Sequence, residues 1–259
     1  MMLDVCDLRC GYGKTEVIHG ASLTVERGEF VCVIGANGCG KTTLLKALLG
    51  VLKPTGGSIT IDGKDVTTMH EKEVARHLAY IPQAHIPPFP FTVADMVLLG
   101  RTPYINRLSV VSDRDRMVAY RALRLLSIEH LGSRIYTQLS GGQEQLVLIA
   151  RALAQEPDIL IMDEPTASLD FGNQQMVLSR MSALAAMGMS LLMVTHSPDH
   201  ALLCADRVLV MDEGEIVGDG PPEEVITSES LCRIYKSNAR VLDVEVAPGQ
   251  RASVCVPLI

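Results

Sequence analysis

The segment Gly35-Ala36-Asn37-Gly38-Cys39-Gly40-Lys41-Thr42-Thr43 contains the residue types needed to grip a polyphosphate. Its first eight residues fit G-x-x-x-x-G-K-[ST]. The glycines let the backbone curl so that its N–H groups converge. A helix opening near Lys41 aims its positive end at the same point. Lys41 would reach β- and γ-phosphates, and the Thr42 hydroxyl would ligate Mg²⁺. Further along, Leu139-Ser140-Gly141-Gly142-Gln143 offers a second anion site, a serine and two glycines at a helix start. A lone S-G-G could be a simple helix cap, but this five-residue string, following a phosphate loop, predicts more. One nucleotide needs one cradle. Two cradles in one chain predict that each protomer gives half a site to its partner, with ATP bound between them.

The third group is Ile159-Leu160-Ile161-Met162-Asp163-Glu164, an apolar run ending in two carboxylates. Paired acids at a strand end also occur as plain surface residues. Downstream of a phosphate loop they read as chemistry. Asp163 would hold Mg²⁺, directly or through water. Glu164 would accept a proton from the attacking water, or orient it.

These residues need a scaffold, and the pattern of the chain predicts one. Short apolar runs recur at Phe30–Ile34, Leu78–Ile81, Ile159–Met162, Leu191–Val194 and Val208–Met211. Continuous apolar strands are buried on both faces, which predicts a mostly parallel sheet covered by helices. Lys41–Leu49 places leucines on one stripe, with Gly50 to close the helix. Leu3–Cys10, Val17–Val25 and Ser58–Ile61, separated by glycine turns, predict an antiparallel layer beside that core. From His85 to Glu156 the pattern is helical. Pro87-Pro88-Phe89-Pro90 opens a loop, and Thr92 with Asp95 and Ser112 with Asp115 form capping boxes. The expected organisation is one α/β domain. Its core spans 1–84 and 157–220, a helical subdomain is inserted at 85–156, and a tail occupies 221–259. The tail is expected to hold one helix near Glu223–Tyr235 and a hairpin of Arg240–Val246 and Ala252–Val256. Pro248-Gly249 would make its turn.

The bulk of the chain excludes other classes. Its 259 residues carry a net charge of −7, which argues against a general nucleic-acid binder. Seven cysteines, at 6, 10, 32, 39, 204, 232 and 255, form no C-x-x-C and are odd in number, as free thiols in a reducing compartment would be. Met1-Met2-Leu3-Asp4-Val5 lacks a basic n-region and an apolar h-region, which predicts no signal peptide. Leu146–Ala154, the longest apolar stretch, is interrupted by Arg151 and is too short to span a bilayer.

Over nearly its whole length the chain resembles an ATP-binding cassette (ABC) protein. Gly35–Thr42 matches that family's Walker A motif, Leu139–Gln143 its signature motif and Ile159–Glu164 its Walker B motif. Tyr12 sits where an aromatic stacks on adenine. Gln83, in Tyr80-Ile81-Pro82-Gln83, matches the Q-loop that senses Mg²⁺ and faces the membrane subunit. Ser168-Leu169-Asp170 matches the D-loop, and His196, after Leu191–Thr195, the switch histidine. Glu144 departs from the family, which usually has Arg, Lys or Gln there. The resemblance implies a RecA-like phosphate-loop fold and a homodimer in which two cassettes pack head to tail. Each ATP, with Mg²⁺, then lies between Walker A of one chain and the signature of the other.

The segment Phe91–Pro103, the run Phe171-Gly172-Asn173-Gln174 and the tail through Leu231-Cys232-Arg233-Ile234-Tyr235 to Pro257 resemble importers of iron chelates, haem and cobalamin. This implies an ATP-hydrolysing subunit at the cytoplasmic face of the membrane, held there by integral permease subunits. An external solute-binding protein would supply cargo. Close relatives move molybdate or tungstate. A soluble cassette of the iron–sulfur assembly type is the rival from another class, and Leu98-Leu99-Gly100-Arg101 favours the transporter.

Overall fold

The computed structural model describes residues 2–83, 89–105, 110–236 and 238–258. The Pro87-Pro88 part of the expected loop lies outside them. Contacts gather the chain into two units, Met1–Thr67 with Ser190–Ile259, and Thr68–Met189. The first unit opens with β1 (Leu3–Tyr12), β2 (Thr15–Val25), β3 (Phe30–Ile34), α1 (Lys41–Leu48), β4 (Gly56–Ile61) and β5 (Lys64–Asp65). The second holds α2 (Glu71–His77), β6 (Leu78–Ile81), α3 (Val93–Leu98), α4 (Asp113–Leu125), α5 (Gly141–Ala154), β7 (Ile159–Asp163) and α6 (Phe171–Ala186). The chain returns to the first unit with β8 (Ser190–Thr195), α7 (Pro198–Cys204), β9 (Arg207–Asp212), β10 (Glu215–Gly220), α8 (Pro222–Val225), α9 (Ser228–Tyr235), β11 (Ala239–Ala247) and β12 (Gln250–Pro257).

In the first unit, β2, β1, β4 and β5 form the antiparallel layer. Leu3 and Val5 are buried, and so are Leu8 and Cys10. That switch of parity is made by a bulge: the register with β2 shifts between Val5 and Leu8, and Asp7 takes φ 47. One extra residue keeps both apolar pairs on the same face. The other sheet runs β10, β9, β3, β8, with β3 parallel to both β8 and β9. Every residue of β3 is buried, as its unbroken apolar sequence requires. Gly50, at φ 70, closes α1 and donates its N–H to the Ala47 carbonyl at 3.0 Å.

The tail departs from expectation at one point. The single helix near Glu223–Tyr235 is two, α8 and α9. Ile226 leaves helical geometry at φ −88 and ψ 88, and Thr227 then caps α9 in a capping box with Ser230. The hydroxyl satisfies donors at a new helix start, so two short helices compete well with one long one. β11 and β12 pair as the hairpin, with Gly249 at φ 76 in its turn.

In the second unit, β6 and β7 pair in parallel, from Leu78 opposite Ile159 to Ile81 opposite Met162. Capping boxes at Thr92, Ser112 and Ser140 start α3, α4 and α5, which pack on one another. The expected 85–156 helical segment therefore shares a unit with β6, β7 and α6. Arg101 binds these helices together. It is 2% exposed, and its guanidinium donates to Asp115 of α4 at 3.0 Å, the Ala154 carbonyl ending α5 at 2.7 Å, and Glu156 at 2.7 Å. It also stacks 4.1 Å from the centre of the Tyr104 ring.

Candidate functional site

In the first unit the chain leaves β3 at Gly35 and enters α1 at Lys41. A Cβ on Gly35 would strike the Met211 carbonyl, which explains glycine there. Gly38 and Gly40 take φ 83 and 113, the left-handed region that L side chains avoid. The turn between β9 and β10 braces the loop from outside. Gly214 donates its N–H to the Cys39 carbonyl at 2.9 Å, and its own carbonyl accepts from His19 of β2 at 2.9 Å. No side chain caps α1 and no acid sits in its first turn. Its first N–H groups and its dipole thus face the loop, the arrangement of an anion site.

Lys41 is 8% exposed. Its ammonium donates to the Gly35 carbonyl at 2.7 Å and the Ala36 carbonyl at 2.9 Å. It is tethered to its own loop by neutral acceptors, which phosphate oxygens can replace with charge-assisted bonds. Thr42 is exposed and Thr43 buried. The Cys39 thiol lies under the loop, 4.0 Å from the Lys41 ammonium, and burial pushes its pKa up. Tyr12, ending β1, leaves its ring 48% exposed, and its hydroxyl accepts from Lys46 at 3.2 Å. Hydrogen bonds from Thr43 and then Lys46 hold the phenol below its ordinary pKa. His196 is the first residue beyond β8, whose Thr195 pairs with Ile34. His196 and Gly35 therefore leave neighbouring parallel strands at the same edge.

In the second unit, the end of β7 carries the acids, and the neighbouring end of β6 leads to Gln83. Asp163, 7% exposed, closes β7. Tyr80 donates its hydroxyl to Asp163 at 3.3 Å, and burial, with that carboxylate second, pushes the phenol up to about 12. Glu164 follows at φ 50, a strained backbone for a residue with a Cβ. Gln83 lies two residues past Ile81, exposed at the same edge. Elsewhere in this unit, Gln143 donates its N–H to the Ser140 hydroxyl at 3.5 Å, while its side-chain oxygen accepts from the Ser140 N–H at 3.2 Å. Asp170 caps α6, accepting from the Asn173 N–H at 2.9 Å and from its side-chain amide at 2.8 Å. Asn173 is thereby fixed against Gly142, where a Cβ would strike its side-chain oxygen. Gly141, Gly142 and Asp170 thus belong to one local cluster. Glu144, half-buried, has its carboxyl raised by burial.

Also in the second unit, α3, α4 and the turn near Glu129 enclose a groove of about 330 Å³, lined among others by Asp95, Leu98, Arg116, Tyr120 and Leu123. Among the described residues, no group of three or more His, Cys, Asp or Glu comes together to hold a metal ion. Sequence reasoning gave no role to Tyr80 or Asn173. A lone tyrosine inside the apolar strand Leu78-Ala79-Tyr80-Ile81 was the available signal for the first. For Asn173 it was the place three residues after Asp170, where a side chain can reach the capping carboxylate.

Residues 18–167 match a family model described as ABC transporter. An uncharacterized ABC transporter ATP-binding protein of Haemophilus influenzae is 44% identical, over 93% of this chain and 92% of its own. A hemin import ATP-binding protein of Nocardia farcinica is 38% identical, over 95% of this chain and 85% of its own. A molybdate import ATP-binding protein of Haemophilus influenzae is 37% identical, over 82% and 78%. Among solved structures, an inward-facing ABC transporter described as of metal-chelate type contains a chain that aligns with TM-score 0.88 and 32% identity, covering 100% of this chain and 98% of that one. A dimeric bacterial ABC transporter cassette aligns with TM-score 0.71 and 27% identity, over 85% and 99%. The phosphate-loop α/β fold expected from the sequence is the one these cassettes have.

Proposed function

The chain belongs to the ABC transporter family as one of its ATP-hydrolysing cassettes, and on that premise we propose that it powers uptake of a metal chelate, of the iron–siderophore, haem or cobalamin class, through a partner permease. One observation carries the reading. A single chain presents two glycine-bearing helix starts, the uncapped α1 behind Lys41 and the Ser140-capped α5, the second with Gly141 and Gly142 leading its first turn. The cargo class is supported by the hemin import relative and by the metal-chelate type transporter, each of which matches nearly all of this chain.

In the proposed reaction two copies pack head to tail, the same surface used twice. Lys41 exchanges its two carbonyl partners for β- and γ-phosphate oxygens of ATP, and Tyr12 stacks on adenine. Ser140, Gly141, Gly142 and Gln143 of the other copy receive the γ-phosphate, with Asp170 beside them. Thr42, Gln83 and Asp163 present hard oxygen donors, a set that suits Mg²⁺, and the ion would neutralise charge on the transferring phosphate. Glu164 takes a proton from the attacking water or orients it, and His196 contacts the γ-phosphate. ATP holds the copies together, and hydrolysis weakens the contact. The 85–156 segment acts as the subdomain that grips the permease. No helix of the described residues is long and apolar enough to cross a membrane. In this reading the permease holds the cassette at the cytoplasmic face, with a solute-binding protein presenting cargo outside.

The test is the oligomeric state of Glu164→Gln in Mg-ATP, measured by light scattering, followed by co-purification from membranes. A nucleotide-dependent dimer that brings down a polytopic membrane protein supports the reading. A strict monomer, with and without that membrane companion, refutes it. Molybdate import is the second reading, favoured by the relative of that name. ATPase stimulation in proteoliposomes by binding protein loaded with haem or ferric chelate, against molybdate, separates the two.

A further inference from the structure

The motif Leu231-Cys232-Arg233-Ile234-Tyr235 and the hairpin behind it take no part in the reaction just described. We propose that this tail is a clasp that holds the switch segment around His196 in its working position, with Tyr235 and Asp199 as positioning residues for turnover. The proposal rests on the reading of His196 as a γ-phosphate contact.

Bonds among the described residues flank His196 on both sides. On its strand side, Ser197 donates its N–H to the Thr195 hydroxyl at 3.1 Å. Two others come from the tail. Tyr235, the last residue of α9, donates its phenol O–H to the His196 carbonyl at 3.2 Å. Cys255 of β12 donates its N–H to Asp199, in the first turn of α7, at 2.8 Å. β12 also packs along α7. α7 also lies on β3 and β8, with Ala201 buried, but it is only seven residues long and Ser197 makes no side-chain cap. A helix that short depends on tertiary contacts.

The tail, by contrast, is anchored on its own account. Leu231 and Ile234 are 2% and 1% exposed. Val241 of β11 donates its N–H to the Ser228 hydroxyl at the start of α9, at 3.0 Å, and Leu258 donates to the Asn238 carbonyl at 2.8 Å, closing the open end of the hairpin. Lys236 then stops α9 in the left-handed region at φ 50, which fixes where Tyr235 ends. An anchored arm thus fixes the backbone of a catalytic histidine, while the contacts of Lys41 and Tyr12 are made without the tail. Loosening the clasp should reduce turnover and spare ATP binding.

The experiment uses the full chain as wild type, Tyr235→Phe, Asp199→Ala, His196→Ala and the His196→Ala/Tyr235→Phe double variant. Phosphate release yields kcat and KM for ATP, and thermal unfolding reports integrity. Tyr235→Phe, which removes one hydroxyl, should lower kcat about 2- to 10-fold, with KM within about twofold and an unfolding temperature within about 4 °C of wild type. Asp199→Ala should act in the same direction. Tyr235→Phe should change nothing further once His196 is gone, because the two act as one unit. Wild-type kcat in both clasp variants, with His196→Ala slowed but still measurable, overturns the clasp and leaves the histidine's role intact. So does a loss of kcat that merely follows a fall in the folded fraction, or one that persists undiminished in the double variant. Wild-type kcat in His196→Ala overturns the histidine reading itself.

Discussion

Glu164→Gln is the sharpest test of the proposed chemistry, because the structure lets its effects on stability and rate be separated. Glu164 sits at φ 50, half-buried, directly after the buried Asp163. A left-handed backbone costs a residue with a Cβ roughly 1 kcal/mol. Glutamine has the same length and bears the same cost, so the strain cancels and folding stability should barely move. Asp163 keeps its hydrogen bond from Tyr80, and Lys41 keeps its loop, so ATP should still bind. The substitution removes the carboxylate's charge and with it the ability to take a proton. Removing a general base of this kind lowers turnover by ~10²–10⁴. That range corresponds to about 2.7–5.4 kcal/mol on the barrier. Phosphate release at saturating Mg-ATP measures the rate, and equilibrium binding of a fluorescent ATP analogue measures affinity. Lys41→Ala in the same pair of assays should lose binding. Turnover of Glu164→Gln within a small factor of wild type would refute the assignment of the base. Lost affinity would show instead that Glu164 acts in the ground state.

Further outcomes follow from the same geometry. The raised pKa of the buried Cys39 thiol predicts slow alkylation at neutral pH, rising about tenfold per pH unit up to the pKa, with ATP protecting. Modified protein should lose nucleotide affinity, and full affinity after complete modification, checked by mass spectrometry, would contradict this. Gly142→Ala places a methyl group against the Asn173 carboxamide, so it should lower turnover at least about tenfold while ATP still binds at Lys41. Adding Asn173→Gly should restore part of the rate, and no restoration counts against the contact as the cause. Arg101→Met removes the partner of Asp115 and Glu156 inside the helical packing, and urea unfolding should show a loss of about 3 kcal/mol. An unchanged midpoint would mean that Arg101 is not the hub it resembles.

Much of the fold is legible in the sequence because its signals are local. β3, β7, β8 and β9 each contain an unbroken apolar run, the mark of a strand buried on both faces, and β6 departs from it only at the exposed Tyr80. The capping boxes at Thr92 and Ser112 were legible three residues apart, and Gly249 marked its turn. The glycines of the phosphate loop were legible as a motif, but not their individual reasons. Gly35 answers to the Met211 carbonyl, and that contact joins residues far apart in the chain. The tail shows the limit of local reading. Helical periodicity runs through Ile226, yet a cap at Thr227 divides it.

The sequence alone thus determined which residues could do chemistry and in which kind of element each stands, since motif spacing and hydrophobic period are properties of neighbouring residues. Only the tertiary structure decided that Tyr80 donates to Asp163, that Arg101 ties α4 to the end of α5, and that Tyr235 reaches the His196 carbonyl. Each of these contacts joins residues distant in sequence. No periodicity encodes such a pair, because its geometry exists only after the elements between have packed.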